Sequence, residues 1–276
     1  MRPRIYVVAE GGINANGDLD LARQMIHTAK ACGADAIKWQ KRTIEAVYTA
    51  EELARPRDSV FGTTNGDLKR GLEFGRAEYD AIDAECRRLD LPWTASCWDV
   101  ESVTFISAYD PPFLKVASAC LTDTPLLQAY RATGLPVVLS TGMSTAHEIE
   151  DAITTLDLTA LTLLHCCAAY PAPIDALNLS ALQTLRHYGY PVGYSSHSVS
   201  PWPALCAAAM GAVMLEAHLT LDRTLWGSDQ AASLEPAAFA KLVTEVRDLE
   251  RAWGDGVIRC EPCEEPVKAK LRRVHA

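Results

Sequence analysis

The sequence predicts an α/β fold, a single (β/α)8 TIM barrel, over its 276 residues. Three observations carry that reading. Eight short apolar runs recur along the chain, helix-period segments follow most of them, and no low-complexity linker or composition break divides the series. A doubly wound open sheet is the structural competitor, but it usually needs fewer units and a switch in strand order.

The apolar runs lie at residues 5–10, 36–40, 92–96, 113–118, 136–142, 161–166, 191–197 and 212–219. Each is short and apolar at successive positions, as a strand buried on both faces must be. Amphipathic segments at 19–32, 76–91, 100–109, 125–133, 146–156, 177–187 and 203–210 separate them, and 236–253 closes the series. The longest irregular stretch, about 43–75, follows the second strand, where a βα loop overhangs a barrel mouth. One catalytic domain is therefore expected over 1–276, with 256–276 as a short charged tail.

Composition narrows the function. The net charge of −9 argues against bulk binding to nucleic acid or anionic membrane. No run approaches the roughly 18 apolar residues of a membrane span, and the mean hydropathy is −0.01. Met1-Arg-Pro-Arg leads straight into a strand with no signal-peptide pattern, so a cytoplasmic protein is expected. Nine cysteines scattered through strands and helices read as reduced thiols. Cys260-Glu-Pro-Cys263 is a lone CxxC without the second pair that a structural zinc site needs.

In such a barrel the chemistry sits at the C-terminal ends of the strands. Those ends carry Glu10, Lys38 and Gln40, Thr94 and Ser96, Lys115 and Ser118, Ser140 and Thr141, His165 and Cys166, Ser195 and His197, and Glu216 and His218. His197 and His218 stand 21 residues apart, about one strand plus one helix, so their imidazoles fall on neighbouring strand ends. Paired imidazoles there either hold a divalent metal or serve as hydrogen-bonded strand-end histidines. Lysines inside apolar strands need a reason, because burying an unpaired ammonium is costly. Lys38 and Lys115 either bind an anion, act as a nucleophile, or pair with a carboxylate such as Glu10 or Glu216. Hydroxyls at Ser118, Ser140 and Thr141, beside Gly142, are placed to donate hydrogen bonds to a phosphate. Together these residues suggest a substrate bearing phosphate and carboxylate beside a carbonyl-polarising metal.

At this point the sequence resembles the sialic acid (N-acetylneuraminate) synthase family. The motifs run from Ala9-Glu-Gly-Gly-Ile-Asn-Ala-Asn-Gly17 through Gly33-Ala-Asp-Ala-Ile-Lys-Trp-Gln40, Phe113-Leu-Lys-Val-Ala-Ser118 and Leu139-Ser-Thr-Gly-Met143. They continue with Leu164-His-Cys-Cys-Ala-Ala-Tyr-Pro-Ala-Pro173, Val192-Gly-Tyr-Ser-Ser-His197, Leu215-Glu-Ala-His-Leu-Thr-Leu-Asp222 and Ser233-Leu-Glu-Pro236. The resemblance implies a synthase that condenses phosphoenolpyruvate (PEP) with a sugar-like aldehyde, releasing phosphate and forming a 2-keto-3-deoxy acid. It implies a divalent ion, Mn2+ first with Mg2+ or Co2+ as alternatives, on His197 and His218. It assigns Lys38, Lys115, Ser96, Ser118 and Ser195 to PEP, Glu10 to the catalytic carboxylate, and Glu216, Tyr170 and Asp229 to the metal and sugar side. Gln40, Ser140 and Thr141 complete the expected substrate-binding set, and a homodimer is implied.

The resemblance covers the barrel alone; the family's small C-terminal antifreeze-like domain has no counterpart before Ala276. Within the motifs, Ala15, Cys120, Ala168 and Ser196 replace residues that in the family carry charge or hydrogen bonds, and Ala119 replaces the glycine of a turn. These changes point to an acceptor other than plain N-acetylmannosamine. Two alternatives are an ordinary nonulosonic acid synthase capped by a separate chain and a non-catalytic barrel acting as a binding or regulatory partner.

Overall fold

The computed structural model describes residues 4–273. Eight parallel strands close into a barrel: β1 Tyr6–Gly12, β2 Ala36–Lys41, β3 Trp93–Cys97, β4 Leu114–Val116, β5 Val137–Ser140, β6 Leu161–His165, β7 Val192–Ser196 and β8 Met214–His218. Each strand pairs with its sequence neighbours, and β1 pairs with β8 to close the ring. Helices α1 Leu19–Ala31, α2 Arg76–Arg88, α3 Val100–Ser107, α4 Thr124–Ala132, α5 Ala146–Leu156, α6 Ala181–Arg186, α7 Trp202–Ala209 and α8 Pro236–Ala252 follow the strands in turn. The predicted fold class and element order hold.

Strand periodicity divides the side chains into two layers. Val7, Ala9, Ile37, Trp39, Ala95, Leu139, Leu163 and Leu215 face outward and pack beneath the helices. The alternate positions face the lumen. Val8, Phe113, Val138, Leu164 and Met214, with Tyr6 against them, fill its floor. One step further along the strands the lumen turns polar, and Glu10, Lys38, Ser96, Lys115, Ser140, Ser195, Glu216 and His218 are all nearly inaccessible to solvent. The apolar floor thus holds a buried charged layer at the C-terminal end of the barrel.

Register sets who meets whom in that layer. Glu10 is opposite Lys38 on one side and His218 on the other. Gln40 is opposite Ser96, Ser96 opposite Lys115, and Glu216 opposite Ser195. The β1–β2 ladder slips between Glu10 and Gly12, a bulge at the mouth. Gly12 has φ +51°, and a Cβ there would come within 2.9 Å of Glu10 Oε1 and 3.1 Å of Gln40 Nε2. Glycine therefore lets the bulge turn without displacing the carboxylate.

Three sequence expectations need correction. Residues 43–75 are not irregular: they form helices Ile44–Val47, Ala50–Ala54 and Asn65–Leu72 and an antiparallel hairpin of Pro56–Ser59 with Gly62–Thr64. Capping boxes of Thr49 with Glu52 and Thr64 with Asp67 start two of these helices, a local signal that outweighs the weak hydrophobic periodicity. The fourth strand is shorter than 113–118, because the chain turns into a 3-10 helix at Ser118–Cys120. The segment 177–187 is helical only over Ala181–Arg186. The tail beyond 256 carries an exposed helix, Glu265–Leu271, that buries no residue. No helix among the described residues is long and apolar enough to cross a membrane.

Candidate active site

The polar layer opens into a cavity of about 180 Å3 at the C-terminal end of the barrel. Of the expected site residues, Glu10, Lys38, Gln40, Ser96, Lys115, Ser118, Ser140, Tyr170, Ser195, His197, Glu216 and His218 line it. Side chains separated by up to 208 residues thus share one small chamber, as the strand-end reading requires.

Two lysines and two carboxylates form its electrostatic centre. Lys38 Nζ lies 2.6 Å from Glu10 Oε2 and donates to Ser96 Oγ at 2.8 Å. Glu216 Oε1 sits 3.8 Å from both Lys38 Nζ and Lys115 Nζ and accepts from Ser195 Oγ at 3.0 Å. The lysines therefore do pair with Glu10 and Glu216. They are not equally satisfied: Lys115 has one long hydrogen bond, 3.4 Å to the Val116 carbonyl, besides its distant contact with Glu216.

Burial and neighbours drive the two carboxylates apart. Burial would raise Glu216, but Lys115, Lys38 and His218 outweigh it and hold the carboxyl down at about 2. Glu10 is raised to about 7 by burial; Lys38 opposes the rise and the Glu216 charge adds to it. The asymmetry follows from position, because Glu216 lies between two ammonium groups and Glu10 contacts one. For Lys38, burial pulls downward, yet Glu10 and Glu216 together leave it raised. Lys115 is lowered, with burial the largest cause and Glu216 a partial offset.

Glu216→Gln should lower stability at pH 7 by about 3–5 kcal/mol, because two buried ammonium groups lose a shared partner. A depressed carboxyl contributes stability that is fully present above its unfolded value, near 4.5, and is lost as pH falls toward about 2. Urea melts of the two proteins should therefore converge as pH is lowered through that window. A gap that stays constant there would show that the ionised carboxylate is not its source.

On the β4–β6 side the chamber is lined by small donors. Ser118 Oγ accepts from the Gly142 N–H at 3.0 Å and lies 3.2 Å from Cys166 Sγ. A Cβ on Gly142 would meet Cys166 Sγ at 2.8 Å and Ser118 Oγ at 2.9 Å, so only glycine lets the chain approach this closely. Thr141 does not join the lining. Its backbone N–H and Oγ1 both donate to the Leu164 carbonyl, at 2.9 and 3.1 Å, which ties β5 to β6.

The imidazoles stand across the chamber, His197 just after β7 and His218 at the end of β8, ring centroids 5.3 Å apart. His197 Nδ1 lies 2.6 Å from the Cys167 carbonyl and so carries the ring proton. Its Nε2 then presents a lone pair, which accepts from the Tyr170 hydroxyl at 2.8 Å. Burial, helped by His218, holds His197 down at about 4, so the ring is neutral at physiological pH. His218 is also lowered, by burial first, although Asp229 opposes it. Its buried Nδ1 has no hydrogen-bond partner, and Asp229 Oδ2 lies 4.0 Å away, outside the lining itself. Two neutral imidazoles with an unsatisfied nitrogen suit a first-row divalent ion. Among the described residues no cluster of three or more His, Cys, Asp or Glu is set to hold a metal. The residues that would hold such an ion are therefore the two imidazoles, His197 and His218.

The cavity also uses residues outside the expected set: Trp98, Ala117, Met143 and Cys166. Trp98 follows Ser96 by two, so strand period alone would have placed it on the same face. Of the unusual small residues, Ala119 and Ala168 line the cavity, whereas Ala15, Cys120 and Ser196 are buried outside the lining. Cys260 and Cys263 are exposed on the tail, and all nine cysteines are free.

Comparison with known proteins identifies the family and the fold. A family model described as the NeuB family matches residues 25–258. N-acetylneuraminate-9-phosphate synthase of Mus musculus is 37% identical over 273 residues, spanning 96% of this chain and 76% of the relative. N,N'-diacetyllegionaminic acid synthase of Legionella pneumophila is 32% identical over 279 residues, spanning 97% and 78%. A solved sialic acid synthetase from Leptospira borgpetersenii serovar Hardjo-bovis, in complex with citrate, has a TM-score of 0.85 and 33% identity and covers 98% of this chain and 93% of its own. With the charged chamber at the expected end of a closed parallel barrel, the chain belongs to the NeuB family and is an enzyme of the sialic acid synthase type.

Proposed function

We propose that this protein condenses PEP with a sugar-like aldehyde other than plain N-acetylmannosamine, in a reaction that depends on a divalent metal. The observation that carries the reading is the Lys115 ammonium. It is buried, holds one long hydrogen bond, and faces a chamber that Ser118 and Ser140 also line. An ammonium so placed gains most from an external anion.

In this reading Lys38 and Lys115 hold the phosphate and carboxylate of PEP, and Ser96, Ser118, Ser140 and Ser195 add hydrogen bonds. Gln40, Tyr170, Glu216 and Asp229 serve the acceptor and metal side. A divalent ion on His197 and His218, Mn2+ or in its place Mg2+ or Co2+, supplies Lewis acidity to the acceptor carbonyl when bound. C3 of PEP adds to the aldehyde carbon, a water oxygen adds to C2, and one water proton passes by way of Glu10 to the former aldehyde oxygen, which becomes a hydroxyl. The C2–O bond to phosphate then breaks as the new C2 hydroxyl gives its proton to the departing phosphate, leaving the 2-keto-3-deoxy acid. The raised Glu10 suits a group that takes and returns a proton near neutral pH.

Phosphate release from PEP, measured over a panel of aldoses, tests the reading. Chelation should abolish release and added Mn2+ should restore it, whereas full activity in chelator would overturn the metal role. Borohydride trapping of a PEP or pyruvate adduct on either lysine would overturn the anion-holding role. Turnover of plain N-acetylmannosamine as fast as any other acceptor would instead favour an ordinary nonulosonic acid synthase.

A further inference from the structure

One cation at the mouth of the chamber has no role in the reaction as described. Arg42 follows the last residue of β2, four positions beyond Lys38 and therefore about 13 Å further along the strand direction. Its guanidinium stacks on Trp98, with Cζ 4.2 Å from the ring centroid, and its Nη2 donates to Gln40 Oε1. Trp98 and Gln40 both line the cavity. Arg42 forms no ion pair with any carboxylate of the described residues, and its buried Nε has no hydrogen-bond partner. The Trp98 Nε1 donor beside it is also buried and unpartnered.

The carboxylates nearby are already engaged. Glu73 Oε1 accepts from Lys41 Nζ at 2.9 Å and from the Arg42 backbone N–H at 3.0 Å. Asp99 accepts from the Thr43 N–H at 2.7 Å and from the Ser102 hydroxyl and N–H at 2.6 and 2.8 Å. Cys120, which lies within the electrostatic reach of Arg42, is a buried neutral thiol and compensates nothing. The result is a planar cation pre-oriented on an aromatic face, with an unpartnered Nε and only Glu73, already shared with Lys41, as a carboxylate within electrostatic reach. Arginine held that way is suited to a carboxylate or phosphate.

Building on the condensation reading above, we propose that Arg42, braced by Trp98 and Gln40, binds an anionic group at the far end of the acceptor. Lys38 and Lys115, deeper in the barrel, take PEP; Arg42 stands at the rim, where the tail of an aldehyde seated below would emerge. The acceptor class is thus an aldose carrying a carboxylate or a phosphate monoester, and Arg42 is a specificity-determining residue rather than a catalytic one.

The test compares D-mannose, D-mannuronate and D-mannose 6-phosphate as acceptors, with phosphate release from PEP as the readout. At least one anionic acceptor should exceed mannose in kcat/KM by 30-fold or more, and the better one identifies the group. Arg42→Met should shrink that ratio at least tenfold through the acceptor KM, and Arg42→Lys should keep part of it. Cys120→Asp, which supplies an internal counter-charge, should lower the ratio with Arg42 still in place. An equal preference in the wild type, a ratio unchanged in Arg42→Met, or a rise in the PEP KM instead of the acceptor KM would overturn the proposal. If no acceptor releases phosphate, the condensation reading fails, and calorimetry with the same three sugars decides this inference separately. Tighter binding of an anionic sugar than of mannose, lost in Arg42→Met, would sustain it; equal binding would end it.

Discussion

Glu10→Gln is expected to lower the rate of phosphate release from PEP by about 10²–10⁴-fold, the usual contribution of one acid–base group. Gln keeps the size and the hydrogen-bonding reach toward Gln40, whose Nε2 donates to Glu10 Oε1 at 3.2 Å in the parent protein. What it removes is the capacity to accept a proton. The loss should therefore fall on kcat, with the KM for PEP little changed. The pH profile supplies a second reading. Burial raises Glu10 to about 7 against the pull of Lys38, so the proton-accepting form grows as pH rises through that region. Wild-type kcat/KM should climb with pH there, and the residual activity of Glu10→Gln should lack that limb. A variant that keeps the limb would assign the base to another residue.

Lys115→Met is expected to lower kcat/KM for PEP by about 10–10²-fold, chiefly through KM, since charge-assisted hydrogen bonds to a buried anion contribute about 1.5–3 kcal/mol. The methionine side chain fills a similar volume and leaves Glu216 with Lys38 as its remaining ammonium neighbour. Steady-state kinetics at varied PEP checks the prediction, and a thermal melt separates lost binding from lost folding. Equal losses in kcat with an unchanged KM would move Lys115 from substrate binding to chemistry. Either outcome is informative, because burial lowers the Lys115 ammonium while Glu10 and Glu216 leave Lys38 raised. Of the two lysines, Lys115 is the better placed to lose its proton.

Much of this chamber was legible beforehand because strand geometry repeats every two residues. Lys38 with Gln40, Ser195 with His197, and Glu216 with His218 share a face by period alone, and so does Trp98 with Ser96. Buried parallel strands read as unbroken apolar runs, so the lysines and carboxylates within them stand out against their neighbours. The segment 43–75 was not legible as structure. Its short helices are started by capping boxes, which hydrophobic periodicity does not register. Thr141 was misleading for a related reason: a hydroxyl at a strand end serves an anion or a neighbouring carbonyl equally well, and here Leu164 takes it.

The sequence by itself determined the barrel, the end of it that carries chemistry, and the inventory of groups in the chamber. These follow from local periodicity and from the cost of burying charge. Tertiary structure decided the partnerships. That Glu216 lies between two ammonium groups and Glu10 meets one depends on the barrel closing β1 onto β8, which no short-range pattern encodes. The tautomer of His197 depends on the Cys167 carbonyl, 30 residues away in sequence. The stacking of Arg42 on Trp98 likewise depends on β2 and β3 lying side by side across a connection of more than fifty residues. Charges act through space, and the distances that set their strength exist only once the ring of strands is closed.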